Sequence, residues 1–238
     1  GAHRLVISPL MSILASLQPR SGAAASRPTL NAEAYRLLEE MIVTLELAPG
    51  SIVSEAVLSG RLGIGMTPVR EALQRLSREY LVRILPRRGV VITAIDIELQ
   101  MKVLETRREL DRLIIRAAAR RASGRERREI GAIGTQMLKA GKRDDAIGII
   151  RLNDAMNQLA AQAAGNETAA NAVAALHAVS RRFWYSHQAS NPLTGETAGR
   201  HAAVAAAIAR GDEEGAAAAS DALIDHLFSF ARATLAEG

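Results

Sequence analysis

The chain has 238 residues, a formal charge of +5 and 48% hydrophobic residues, with one Trp, three Tyr and three Phe. That length buries a real core as one large or two small domains, and an aromatic-poor, Ala-rich composition favours packed helices over a β-sandwich. The absence of cysteine excludes a disulfide framework, a thiolate metal site and a cysteine nucleophile together.

Residues 1–28 include LVISPLMSILASL (Leu5 to Leu17), which faintly resembles a secretory leader. Pro9 and Pro19 interrupt any helix there, so a flexible or disordered extension is expected. No later stretch approaches the roughly 20 apolar residues of a membrane span. Order is expected from Thr29, with a capped helix start at Asn31-Ala32-Glu33-Ala34 and Tyr35, Leu38, Ile42 and Leu45 at helical spacing. Pro49-Gly50 ends that helix, and Ser51-Ile52-Val53 reads as a short extended piece. A second helix runs from Ser54 or Glu55 to Leu62 and stops at Gly63. Thr67 is a natural N-cap with Pro68 at the first helical position. The third helix turns Val69, Ala72, Leu73 and Leu76 inward and Arg70, Gln74, Arg75 and Arg78 outward. Two apolar runs, 81–85 and 90–93, flank Pro86-Arg87-Arg88-Gly89 and predict a β-hairpin.

Asp96 opens a long helix to about Ala122, followed by helices near 125–141, 143–164, 167–189, 197–210 and 213–235. Breaks are expected at Ser123-Gly124, Gly141, Gly165-Asn166, Asn191-Pro192 through Gly195, and Gly211-Asp212. The Ala runs at 202–207 and 216–219 predict close helix packing. The fold class is therefore mainly α. A winged helix-turn-helix of three helices and a small β-hairpin wing spans 29–95, and an all-helical bundle, expected to read a signal, spans 96–238.

Between Gly60 and Val90 seven arginines face two glutamates, so this segment alone carries the excess of the whole chain. Phosphate attraction requires such a confined basic patch. A helix that enters a DNA groove needs a slim approach, supplied by Gly63 and Gly65, and donors on its first turns, supplied by Thr67 and Arg70 beside Pro68. Arg70 is placed to read guanine O6 and N7, while Arg75 and Arg78 lie further along and suit phosphates. Arg87-Arg88-Gly89 at the hairpin tip suits a neighbouring minor groove, with Gly89 permitting the turn.

Several motifs resemble the GntR family of bacterial transcriptional regulators. They are Leu47-Ala48-Pro49-Gly50-Ser51-Ile52-Val53-Ser54-Glu55, Leu62-Gly63-Ile64, Thr67-Pro68-Val69-Arg70-Glu71-Ala72-Leu73, Arg75-Leu76, Leu81-Val82 and Pro86-Arg87-Arg88-Gly89. Gly65-Met66 replaces the usual Ser-Arg, and Ala56 replaces a common basic residue, so two contacts that the resemblance implies are missing. Three further signals resemble the helical FCD domain of the FadR subfamily: Glu105 through Asp111, Ala163-Ala164-Gly165-Asn166, and the run from His201 to Asp212. Many such domains hold a divalent metal with an Asp and a His four apart, plus two further His. The corresponding positions here are Asn153, Asn157, His201 and near Leu223, with His226 about one turn beyond. Neutral amides are weak ligands, so a divalent metal is disfavoured, with His201 and His226 its remaining ligands if one is held.

The same positions suit a small organic acid without metal. Arg107, Asn153, Asn157, His201 and His226 are the candidate effector residues, because Arg pairs with a carboxylate through two directional bonds. Alternatively Arg107 pairs with an acid of its own bundle. In the run Ser180 to His187, Phe183 and His187 share a helix face, as do Trp184 and His177, and a core or dimer contact is expected there ahead of a pocket wall. No nucleophile–base set, paired acid and base or phosphate loop follows Asp96. The chain therefore reads as a non-enzymatic, cytoplasmic, homodimeric regulator, a metabolite-responsive repressor on operator DNA. The alternatives are a helical-bundle enzyme with an accessory DNA-binding head and a ligand-blind architectural DNA binder.

Overall fold

A computed structural model describes residues 29–190 and 193–235. The expected N-terminal extension and the Asn191-Pro192 break lie outside the described residues. The first element, α1 (Leu30–Val43), starts ahead of Asn31 because the Thr29 hydroxyl caps it by accepting from the Ala32 N–H. Leu45 is not on its apolar face. It sits in the turn beyond the helix with φ 62°, and Leu47 fills the core instead.

After β1 (Ile52–Val53), Ser54 caps α2 (Glu55–Leu62), which ends on left-handed Gly63. The recognition helix, α3 (Met66–Arg78), begins earlier than a Thr67 cap would allow. Its first helical hydrogen bond runs from the Val69 N–H to the Gly65 carbonyl at 3.3 Å, so Gly65 is the cap and Thr67 and Pro68 fall inside the first turn. Pro68 is tolerated there because the amides of that turn have no helical partner in any case.

The wing is a three-stranded antiparallel sheet in the order β1-β3-β2, with β2 (Val82–Leu85) and β3 (Gly89–Ile92) forming the hairpin. The expected extended piece pairs Ile52 with Val91 and Val53 with Val90. Gly89 has φ 103°, and a Cβ there would lie 2.8 Å from the Val53 carbonyl oxygen, so the turn and the close approach of β1 both demand glycine.

Asp96 caps α4 (Ile97–Arg121) through the amides of Glu98 and Leu99. The bundle continues with α5 (Gly124–Lys142), α6 (Ala146–Ala164), α7 (Glu167–His187), α8 (Thr194–Arg210) and α9 (Glu213–Leu235). Gly141 does not break α5. Added Cβ atoms at Gly134 and Gly141 would stand 2.8 Å and 2.6 Å from the Cβ atoms of Ala205 and Ala198, so these glycines let α5 and α8 pack backbone to backbone. The chain leaves α5 only at the Arg143–Asp145 turn, where Asp144 has φ 53° and Asp145 caps α6.

Two cores result. Leu38, Ile42, Leu58, Val69, Leu73, Leu76, Leu81 and Ile92 close the winged head, and Leu104, Ile130, Met137, Phe183, Ile208 and Phe230 are among those that close the bundle. The cores interlock, since Ala178 of α7 belongs to the head cluster and Val43 of α1 to the bundle cluster. Phe183 and Trp184 are buried core side chains, with the rings of Phe183 and His187 4.4 Å apart.

Candidate functional site

The outward faces of α3 and the wing are polar. Thr67, Arg70, Gln74, Arg78, Arg83, Arg87 and Arg88 are exposed, while Pro68 and Gly89 are half-buried. Arg70 already has a partner, with its Nε and Nη2 donating to Glu55 Oε2 at 3.0 and 2.8 Å. Arg70 in that pair is exposed and Glu55 half-buried, and surface ion pairs are weak and readily exchanged for a phosphate or a base. Arg87 holds φ 60° at the hairpin tip, so it and Arg88 project from a defined turn.

Arg75 is exposed, as its outward position predicts, but its guanidinium is engaged within the head. Its guanidinium stacks 3.6 Å from the centre of the Tyr35 ring on α1, and its Nε donates to Glu79 at 2.9 Å. The Tyr35 hydroxyl donates to the other Glu79 oxygen at 2.7 Å. Burial and the adjacent Glu39 and Glu79 carboxylates push the Tyr35 phenol far above its ordinary range. The C-terminal half of the recognition helix is thereby tied to α1.

Behind this cluster lies a cavity of about 530 Å³, walled by α1 and Arg75 from the head and by α4, α6, α7, α8 and α9 from the bundle. Arg107, Asp111 and His177 form a buried triad on its wall. The Arg107 Nε and Nη2 sit 3.0 and 2.9 Å from Asp111 Oδ2, and His177 Nε2 sits 2.7 Å from Asp111 Oδ1. Burial works against the Asp111 charge, yet Arg107 and His177 hold its carboxyl well below the usual carboxylate range. Burial also lowers His177, which is therefore a neutral imidazole whose Nε2–H donates to Asp111. The bundle acid of the alternative reading is thus Asp111, one turn on from Arg107.

The candidate effector residues separate. Arg107 and Asn157 line the large cavity. Asn153 and His201 line a smaller pocket of about 30 Å³ on the other side of Arg107, with Asn153 Nδ2 3.2 Å from His201 Nδ1. Desolvation, followed by the nearby Arg107 charge, pulls His201 down to about 3, so it is neutral. His226 is not part of either cavity. Its Nε2 lies 2.8 Å from Thr197 Oγ1 and its Nδ1 3.3 Å from Glu196 Oε1. His177 was visible in the sequence only as a helix-face neighbour of Trp184, and nothing there marked Asp111 as its partner.

The profile of bacterial regulatory proteins, gntR family, matches residues 30–92, and that of the FCD domain matches residues 102–226. The chain belongs to the gntR family. Its first domain is that family's DNA-binding domain, and the bundle carries the FCD domain. An HTH-type regulator of Streptomyces ambofaciens is 44% identical over 62 residues, 26% of each chain. The match thus spans about a quarter of that relative. The HTH-type transcriptional repressor RspR of Escherichia coli K12 is 28% identical over 156 residues, 66% of this chain and 68% of that one. Among solved structures, E. coli McbR/YncC superposes with a TM-score of 0.75 at 17% identity, covering 88% of this chain and all of that one. At that identity the likeness is one of fold.

The metal arrangement common among FCD domains does not fit this gntR member. Asn157 donates to Asn153 at 3.4 Å, Asn153 is bonded to His201, and Leu223 offers no donor. Among the described residues no three His, Asp or Glu side chains converge on a common point. The space that such a site would leave is filled by an amide–imidazole hydrogen-bond chain. No helix among the described residues is long and apolar enough to cross a membrane.

Proposed function

We propose that the chain is a one-component transcriptional repressor of the cytoplasm. Two copies pair through residues 96–238 and present two heads, residues 29–95, to a pseudo-palindromic operator, and a small organic acid in the bundle domain releases them. The observation that carries this reading is the set of exposed donors on α3 and the wing tip, Thr67, Arg70, Arg78, Arg87 and Arg88. The direction of regulation follows the likeness to RspR. Arg70 is assigned to base edges, and Arg78, Arg87 and Arg88 to phosphates and the minor groove. On the effector side Arg107 and Asn157 face the cavity, with Asn153 and His201 supporting them from behind. His226 has no part in this assignment.

Selection of duplexes from a random library tests the DNA half. The wild type should enrich an inverted repeat whose half-sites lie about 34 Å apart or a multiple of it. Arg70→Ala should lose about tenfold or more on the enriched sequence and tolerate base changes in it. Arg88→Ala should weaken every duplex alike and flatten the salt dependence. Full operator affinity and selectivity in Arg70→Ala would remove the recognition-helix assignment.

A further inference from the structure

The cations that face the cavity are not equivalent. Four arginines meet three carboxylates there, so the lining carries one net positive charge. The bundle's two arginines are committed. Arg107 has its Nε and Nη2 on Asp111, and Arg181 is paired with Glu39 and, at 3.2 Å, with Asp154. The two arginines of the head are more exposed, and each keeps a free Nη group among the described residues. Arg75 uses only its Nε, on Glu79, and neither of its Nη groups has a hydrogen-bond partner among the described residues. Arg36 has only a marginal contact of 3.5 Å with Glu40, its neighbour one turn on. Both side chains are about half exposed, 48% for Arg75 and 57% for Arg36. The most exposed guanidiniums that face the cavity, each with a free Nη group, therefore belong to the DNA-binding domain.

The lining also changes character along its length. Where α7 meets the head, Arg182 donates to Thr93 and Arg181 pairs with Glu39. Moving away from the head, α7 presents His177 and then Val173, and α4 presents Arg107, Asp111 and then Ile114 and Ile115. Eight residues from Arg107 to Ile115, or from Arg181 to Val173, span about 12 Å of helix. Leu223 and Val204 also line the cavity, with Ser220 one turn from Leu223. A cavity with its arginines towards the head and its branched apolar side chains further along α4 and α7 matches an amphipathic ligand laid along it.

We infer that the cavity takes a small monoanion with a compact apolar tail. The carboxylate is held by Arg36 and Arg75 of the DNA-binding domain, and the tail lies against Ile114, Ile115 and Leu223 of the bundle. The inference rests on the proposed effector role of the cavity and adds that the ligand touches the recognition helix itself. An anion on the Nη groups of Arg75 shares the guanidinium whose Nε holds Glu79 and so bears directly on the Tyr35–Arg75–Glu79 cluster that ties α3 to α1. No intermediate element is needed to carry the signal.

Calorimetric and thermal-shift titration of the full chain with phenylacetate tests this, with uncharged phenylacetamide and cationic phenethylamine as controls of similar shape. Phenylacetate should raise the melting temperature of the wild type and the two controls should not. Arg36→Gln and Arg75→Gln should each weaken phenylacetate by about tenfold, the effect of losing one charge-assisted hydrogen bond. Arg36 is exposed and nearly unpaired, so its replacement keeps the comparison decisive if Arg75→Gln destabilises the head. Asn157→Trp, which fills the cavity from α6, should abolish binding. Binding that Asn157→Trp blocks while both arginine variants retain it would overturn the shared site and leave the effector cavity standing. Equal binding of phenylacetamide would overturn the anion assignment. No response of the wild type to phenylacetate would overturn the inference, and a wild type equally silent to a broader panel of small organic acids would overturn the effector cavity too.

Discussion

Single residues set the limits of this molecule. Gly89 has to hold φ 103° with β1 packed against its Cα, so Gly89→Ala meets both a disfavoured backbone conformation and the Val53 carbonyl. Strain of this kind costs on the order of 1–3 kcal/mol, and chemical denaturation of the variant should show a loss of that size. An unchanged midpoint would mean that the wing turn is looser than its contacts imply. His201 makes a different demand. Its folded-state titration lies near 3, below the ordinary histidine value of 6.5, so acidification protonates the unfolded chain first. Its contribution is fully present above the unfolded value and is lost as the pH falls from 6.5 towards 3. His177, also lowered by burial, acts in the same direction. Urea unfolding at about pH 7 and about pH 5 should therefore show a drop in stability, up to about 1.4 kcal/mol per pH unit for each group. His201→Gln should show a smaller drop, and an identical one would contradict the buried neutral imidazole. The partner of Arg107 was readable because Asp111 lies four residues on. The other half of that triad was not, because His177 comes 66 residues later on another helix.

Among the elements, those with a strong helical period were read closely from the sequence, and their ends shifted for identifiable reasons. The recognition helix starts at Met66 because the Gly65 carbonyl accepts its first hydrogen bond, a choice of backbone that Thr67-Pro68 conceals. The third strand of the wing is two residues long, too short to show an alternation, and is defined only by pairing with β3. Gly141 looked like a helix stop because glycine usually is one, whereas its role is set by Ala198 across the seam. That seam makes a prediction for the pair α5 and α8. A side chain at Gly134 would collide with Ala205 and force the helices apart, so Gly134→Val should cost about 1–3 kcal/mol, the usual effect of overpacking. Ser123→Ala, which breaks the capping box at the start of α5, should cost only about 1 kcal/mol. Thermal melts of the two variants should rank them in that order.

For the whole molecule, the arrangement of the two domains follows from side chains that no local pattern reveals. Arg181 to Glu39, Arg151 to Glu40 and Arg182 to Thr93 join α6 and α7 to the head. Buried without a partner for its Nε, Arg182 is drawn down to about 10 by desolvation and spends its other donors on the Thr93 segment just before α4. The cavity opens onto the same joint, so an occupant and the DNA act on one connected body. Linkage then requires that whatever the occupant does to DNA affinity, DNA does to the occupant's affinity. The direct measurement is the affinity of the library-selected duplex, followed by fluorescence anisotropy with and without saturating phenylacetate. The account predicts a dissociation constant at least about fivefold higher with phenylacetate, and no change in Asn157→Trp. An unchanged duplex affinity, with phenylacetate shown by calorimetry to be bound, would contradict it.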